Sequence, residues 1–228
     1  QAGIATDEQA EGWRAVADRV HEEGGTLFMQ IMHGGRTSHP DLIDGANPEA
    51  PSAFDWGGTV RGFAGKMDAP VPRELKKEEL PRIVEEFRQG ARRAIDAGVD
   101  GVEIHGANGY LLHEFMAPSA NKREDEFGGS PENRWRLPEM VIRAVVEEIG
   151  ADRVGVRFSP AHNVQGVIED DQEDMLATYG GLLDALAPLN LAYVSLLHGE
   201  PDSELIATLA QKARANGVTK VLMNDGFP

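Results

Sequence analysis

Gly98-Val99-Asp100-Gly101-Val102-Glu103-Ile104-His105-Gly106-Ala107-Asn108-Gly109-Tyr110 is the stretch on which the architecture turns. A helix-ending glycine is followed by an apolar run too short for a helix. That run closes on a polar side chain and a glycine-rich turn, the pattern of a buried parallel strand feeding a functional loop. Upstream, 77–97 reads as a helix with Leu80, Ile83, Val84, Phe87, Ala91, Ala94 and Ile95 on one face and Pro81 near its first turn, where proline is tolerated. Downstream, after a long loop, Ser130-Pro131 opens another helix that ends at Gly150.

The unit repeats in both directions. Thr6 and Gln9 form a capping-box signature ahead of a helix carrying Trp13, Val16, Ala17 and Val20, and Gly24-Gly25 ends it before strand 26–32. Strand 153–159, helix 171–187, strand 191–197, helix 203–216 and strand 220–224 follow. Five strands alternating with five helices predict an α/β fold with a parallel sheet. Residues 1–228 are read as one domain, with a long excursion at about 33–74 that is rich in Gly, Pro, Asp and Ser and has room for a hairpin. A doubly wound sheet and a (β/α)8 barrel both fit the alternation. A barrel needs eight strands, so five imply an incomplete one. The absence of a Gly-x-Gly-x-x-Gly or Gly-x-x-x-x-Gly-Lys turn weakens the nucleotide-binding alternatives. The chain opens on Gln1 and stops just after a strand-like run, so truncation is the expectation.

Composition narrows the function. The 228 residues carry a net charge of −16, which disfavours nucleic acid or an anionic membrane surface as partner. No run approaches the roughly 18 apolar residues of a membrane span, and no secretion signal opens the chain, so a cytoplasmic protein is expected. With no cysteine, disulfides, thiolate catalysis, Cys-ligated zinc and iron–sulfur clusters fall away within this chain. Seven histidines show no metal-binding spacing, so no metal is expected.

Parallel α/β folds place chemistry past the C-terminal ends of their strands, and those positions hold Gln30 and His33, His105, Arg157, His198 and Asn224. Each has an ordinary structural explanation; five strand ends delivering polar side chains to one layer point to a site. His105 and Asn108 can donate hydrogen bonds to a carbonyl oxygen that gains charge, and Tyr110 can deliver a proton. Against this stands a glycine-rich turn with Tyr110 packed in the core. Arg157 closes an apolar strand and needs an anionic ligand or a salt bridge to Glu103, itself an unusual residue between Val102 and Ile104.

The segment 102–112 resembles the fourth-strand motif of the Old Yellow Enzyme family. Asn121-Lys122-Arg123 with Asp125-Glu126-Phe127-Gly128-Gly129-Ser130-Pro131-Glu132-Asn133-Arg134 resembles that family's next signature. Gln30-Ile31-Met32-His33-Gly34-Gly35-Arg36 with Ser38-His39-Pro40, and the helix entry Pro72-Arg73-Glu74-Leu75, are similar to its third-strand region. The resemblance implies a TIM barrel lacking its first two strands and its last, here about five βα units. It implies FMN as cofactor, NAD(P)H as hydride donor and an activated alkene such as an α,β-unsaturated carbonyl as substrate. On it, Gln30 would meet the flavin pyrimidine edge and Arg157 its N1/O2 side. His105 and Asn108 would hold the substrate carbonyl, Tyr110 would protonate the α-carbon, and Gly226 would offer a backbone donor to the FMN phosphate. Asp225 and Met32 depart from the family's usual residues. The alternatives are a dienoyl-CoA reductase-type relative and a flavin-free, non-catalytic barrel piece. The native alkene, the choice of NADH or NADPH, and whether the chain forms a homo-oligomer stay open.

Overall fold

The computed structural model describes residues 2–218 and 220–224. Helix α1 (Asp7–Glu22) starts at the capping box, with the Gln9 amide donating to Thr6 Oγ1 at 3.2 Å and the Thr6 amide to Gln9 Oε1 at 3.3 Å. Of its apolar stripe only Ala17 is buried, and Val16 is 43% exposed. Trp13 packs against the core and Val20 is half-buried, so of the predicted stripe Val16 alone is exposed. Strand β1 (Phe28–Ile31) follows.

The excursion contains short strands β2 (Glu49–Ala50), β3 (Thr59–Gly62), β4 (Gly65–Asp68) and β5 (Arg73–Glu74). β3 and β4 form the antiparallel hairpin the composition allowed, and β2 pairs with β5 in parallel. Glu49 ties this subsheet to the next helix, α2 (Leu80–Asp96), by an ion pair to Arg82 at 2.8 Å, and pairs with Arg73 of β5 within the subsheet. His33 and then Arg82 hold the Glu49 carboxyl down to about 2 against the opposing effect of burial. α2 is strongly amphipathic, burying Leu80, Ile83, Phe87, Ala91 and Ala94, and Gly98 at φ +92 releases the chain into β6 (Gly101–Gly106).

One element was not legible beforehand. α3 (Leu111–Met116) lies in what reads as a loop, because all six of its residues are buried and no polar–apolar period marks it. α4 (Pro131–Ile149), capped by Ser130, then leads to β7 (Val154–Phe158) and α5 (Gln172–Leu186). β8 (Tyr193–Leu197), α6 (Glu204–Ala215) and β9 (Val221–Asn224) complete the alternation.

Five parallel strands form the main sheet in the order β1-β6-β7-β8-β9. One face packs against the helices through Met29, Ile31, Val102, Ile104, Val154, Val156, Phe158, Val194 and Leu196, all in a single apolar core. Alternation along each strand sends the intervening residues to the other face. In register these are Phe28 with Gly101, then Gln30, Glu103, Gly155 and Tyr193, then His105, Arg157 and Ser195. The glycines are required there. A Cβ on Gly101 would sit 2.4 Å from the Phe28 ring, and one on Gly155 would sit 2.2 Å from the Tyr193 ring.

Candidate active site on the inner face of the sheet

The second face of the sheet is polar in its middle and upper rows. Glu103, 7% exposed, lies at the centre of the middle row. Gln30 Nε2 donates to Glu103 Oε1 at 2.6 Å, and Arg157 Nε forms an ion pair with the same oxygen at 3.2 Å. Tyr193 approaches from β8 across side-chain-free Gly155. Burial and the facing Glu103 carboxylate push its phenol pKa well up. The salt bridge weighed for Arg157 thus exists, and Gln30 shares it.

One row higher, His105 is 3% exposed and its Nδ1 has no hydrogen-bond partner. Burial, then the nearby Arg157 and His113, lower its pKa to about 4, so the imidazole is neutral at pH 7. The Tyr110 ring lies beside it at a tilt of 55°, centroids 5.3 Å apart. Asn108 stands in the left-handed region at φ +56, its amide held by Ser159 Oγ at 2.8 Å and its carbonyl by Gln165 Nε2 at 2.8 Å. Its side-chain Oδ1 is buried without a partner. Gly109, at φ +75, passes beneath the backbone of Val164, where a Cβ would come within 2.9 Å of the carbonyl oxygen. The turn is thus clamped from the 159–170 loop, with Asn108 and Tyr110 on either side of Gly109.

The structure brings Gln30, His105 and Arg157 together on three adjacent strands, with Asn108 and Tyr110 on the turn above. It does not bring the other strand-end histidines into this group. His33 Nδ1 accepts the Gly35 amide at 3.1 Å and Nε2 lies 3.7 Å from Glu49, while His198 Nδ1 accepts the Glu200 amide at 2.9 Å. These two organise loops. Asn224 ends β9 beside His198, whose amide donates to its carbonyl at 3.1 Å. Gly226 lies outside the described residues.

Sequence reading missed Tyr193 and Ser195 on the inner face, although strict alternation with Val194 and Leu196 carried the signal. It also missed a buried cluster under the turn. His113 Nδ1 accepts the Gly109 amide at 2.9 Å, which places its proton on Nε2, 3.2 Å from Glu169. Glu169 also accepts from Tyr179 Oη at 2.9 Å and from the Ala161 amide at 3.1 Å. Nothing in the local pattern announced that three residues so far apart in sequence would meet.

His105 Nδ1 and Asn108 Oδ1 are thus buried without a protein partner, and Arg157 Nε has only the Glu103 ion pair, so the rim holds polar atoms that a ligand can satisfy. A parallel βα sheet with this polar row at and beyond its strand ends defines a class of enzyme-type scaffold whose chemistry gathers on one rim. The chain belongs to the NADH:flavin oxidoreductase / NADH oxidase family, whose description matches residues 1–212. The Old Yellow Enzyme resemblance of its motifs therefore holds, and that family uses FMN and NAD(P)H.

Among its relatives, the putative 12-oxophytodienoate reductase-like protein 2A of Arabidopsis thaliana is 49% identical over 159 residues, covering 69% of this chain and 58% of that protein. 12-oxophytodienoate reductase 1 of Oryza sativa subsp. japonica is 47% identical over 169 residues, 74% of this chain and 44% of that protein. The fold is similar to that of the Old Yellow Enzyme homologue of Zymomonas mobilis, with a TM-score of 0.89 at 33% identity, covering 99% of this chain and 64% of that one. Morphinone reductase in complex with tetrahydroNAD gives a TM-score of 0.88 at 36% identity, covering 99% and 62%. The chain thus spans about half the length of the curated relatives it matches.

Proposed function

We propose that this chain carries the substrate-activating half of an FMN-dependent, NAD(P)H-driven reductase of activated alkenes. The observation that carries the proposal is the grouping of Gln30 in the middle row with His105 and Arg157 in the row above it, beneath Asn108 and Tyr110, where His105 Nδ1 and Asn108 Oδ1 are buried without a protein partner. Gln30 and Arg157 would hold the flavin ring system, and FMN when bound would supply the hydride equivalents drawn from NAD(P)H. Gly226 is proposed as a backbone donor to its phosphate.

The chain's own residues then act on the substrate. Neutral His105 and the Asn108 amide orient a substrate carbonyl and donate to its oxygen. This draws electron density from the conjugated double bond and makes its β-carbon receptive to hydride. Tyr110 Oη donates the proton to the α-carbon, and the clamp of Ser159 and Gln165 on Asn108 keeps the donors preorganised. A 2-enone suits this pair of donors. A relative that is a 12-oxophytodienoate reductase by name supports a carbonyl-conjugated alkene as the substrate class.

The test is a visible spectrum of the chain after adding FMN and removing the excess, followed by enone-dependent NAD(P)H oxidation. A retained, perturbed flavin band and enone turnover are expected; Tyr110→Phe should keep flavin reoxidation by the enone while slowing release of the saturated product at least tenfold. A colourless protein, or unchanged product formation in Tyr110→Phe, would overturn the respective assignment. A second reading is favoured by the sheet itself. Among the described residues β1 and β9 each pair on one side only, which suits a piece that completes its barrel with further strands before it binds flavin.

A further inference from the structure

Glu103 has no role in the reading above, yet side chains from three other strands converge on it. A buried carboxylate mid-strand, on the face opposite Val102 and Ile104, has a desolvation cost that close partners must offset. Its partners are Gln30 from β1 at 2.6 Å and Arg157 from β7 at 3.2 Å, both on the same oxygen Oε1, with Tyr193 of β8 facing the carboxylate from the third side. Three strands are therefore pinned to one side chain from a fourth.

We propose that Glu103 is a positioning residue: its buried carboxylate fixes the Gln30 amide and the Arg157 guanidinium in the orientation they offer a ligand, and balances the charge of that ligand face. The inference rests on the flavin reading for the identity of the ligand, but not for the geometry. An amide facing a carboxylate must present nitrogen, since its oxygen would meet another acceptor. Glu103 thereby excludes the flipped Gln30, and leaves one Nε2–H and Oε1 side by side for a ligand. That donor–acceptor pair complements the acceptor–donor edge of a pyrimidine-dione ring. For Arg157, the ion pair is made through Nε, which leaves both terminal nitrogens free of protein hydrogen bonds among the described residues. They form the cationic corner of the same face, and the adjacent Glu103 carboxylate partly offsets their charge. Without it, that corner would favour an anionic ligand more strongly.

The experiment compares the chain with Glu103→Gln and Glu103→Asp, each checked for folding by its thermal melt. Glu103→Gln keeps the size and one acceptor but removes the charge; Glu103→Asp keeps the charge but withdraws it by one methylene. The first readout needs no flavin: the ¹H–¹⁵N signals of the Gln30 side-chain amide and the Arg157 Nε–H. The Gln30 amide should be dispersed and exchange-protected in the parent chain and lose that protection in Glu103→Asp, where the Arg157 Nε–H signal should also shift as the carboxylate withdraws. Unchanged signals in both variants overturn the proposal.

The second readout is the two-electron midpoint potential of bound FMN. Glu103→Gln should favour the reduced, anionic form at least tenfold, a positive shift of about 30 mV or more, and weaken binding of oxidised FMN at least tenfold. An unchanged potential and affinity overturn the charge-balancing role. If the parent chain holds no flavin, the flavin reading fails, and the side-chain signals alone decide whether Glu103 positions Gln30 and Arg157.

Discussion

Glu114 and His105 both pay for burial, with opposite signs on the pH axis. Glu114 is wholly buried on α3 and accepts the Arg36 amide at 2.9 Å, yet desolvation outweighs the pull of Arg36 and raises its carboxyl to about 8. The folded chain therefore keeps a proton that the unfolded chain releases at an ordinary carboxyl pKa of about 4.3. Its contribution to stability falls as pH rises through that window and levels off above pH 8. His105, lowered to about 4, works the other way: the unfolded chain binds the extra proton, so stability falls as pH drops from about 6.5 towards 4. Glu114→Gln cannot ionise, so its stability relative to the parent should climb steadily from pH 5 to pH 8 in urea melts. Parallel curves would show that Glu114 is ionised in the folded state.

At the scale of elements, the turn after β6 is held by contacts that no single segment contains. α3 is a buried six-residue helix, and its exit is locked by Arg134 of α4. That guanidinium, 3% exposed, donates to Met116 O at 2.7 Å, to Gly129 O at 2.5 Å, to both oxygens of Asp174 at 2.6 Å and to Thr178 Oγ1 at 2.9 Å. One side chain thus joins α3, the loop before α4, and α5. Arg134→Ala leaves Asp174, the buried Met116 carbonyl and the more exposed Gly129 carbonyl without their donor and should cost about 2–3 kcal/mol in chemical denaturation. Arg134→Lys, which cannot reproduce the fork, should recover less than half. The sequence showed Arg134 inside a family-like signature but not what it binds, because its partners lie 5 to 44 positions away.

At the scale of the molecule, the sheet is an open parallel arc whose inner face carries the proposed site. Strands β1 and β9 each leave one edge unpaired among the described residues, and Leu222 and Met223 on β9 are 47% and 40% exposed. Such edges template pairing with other strands. The chain should therefore self-associate with rising concentration, visible as a growing sedimentation coefficient between micromolar and hundred-micromolar samples. Leu222→Lys, which puts a charge on that edge, should shift the onset to higher concentration. A species that stays monomeric throughout would mean the edges are protected. Among the described residues no helix is long and apolar enough to cross a membrane.

What the sequence determined by itself is what short-range chemistry encodes. The periods of 2 and 3.6 residues, the caps at Thr6 and Ser130, the stops at Gly98 and Gly150, and the alternation of strand with helix were all readable, because each depends on neighbours within a turn or two. So were Gln30, His105, Asn108, Tyr110 and Arg157 as candidates, since strand ends are a position that sequence can locate. Tertiary structure alone decided how those residues relate. Register across β1, β6, β7 and β8 set Glu103 between Gln30 and Arg157, and the missing side chain of Gly155 let Tyr193 join them. The burial that lowers His105 and raises Glu114 likewise comes from segments far away in the chain. Hydrogen-bond geometry and desolvation are properties of contacts in space, and a linear order of residues does not contain them until the sheet has formed.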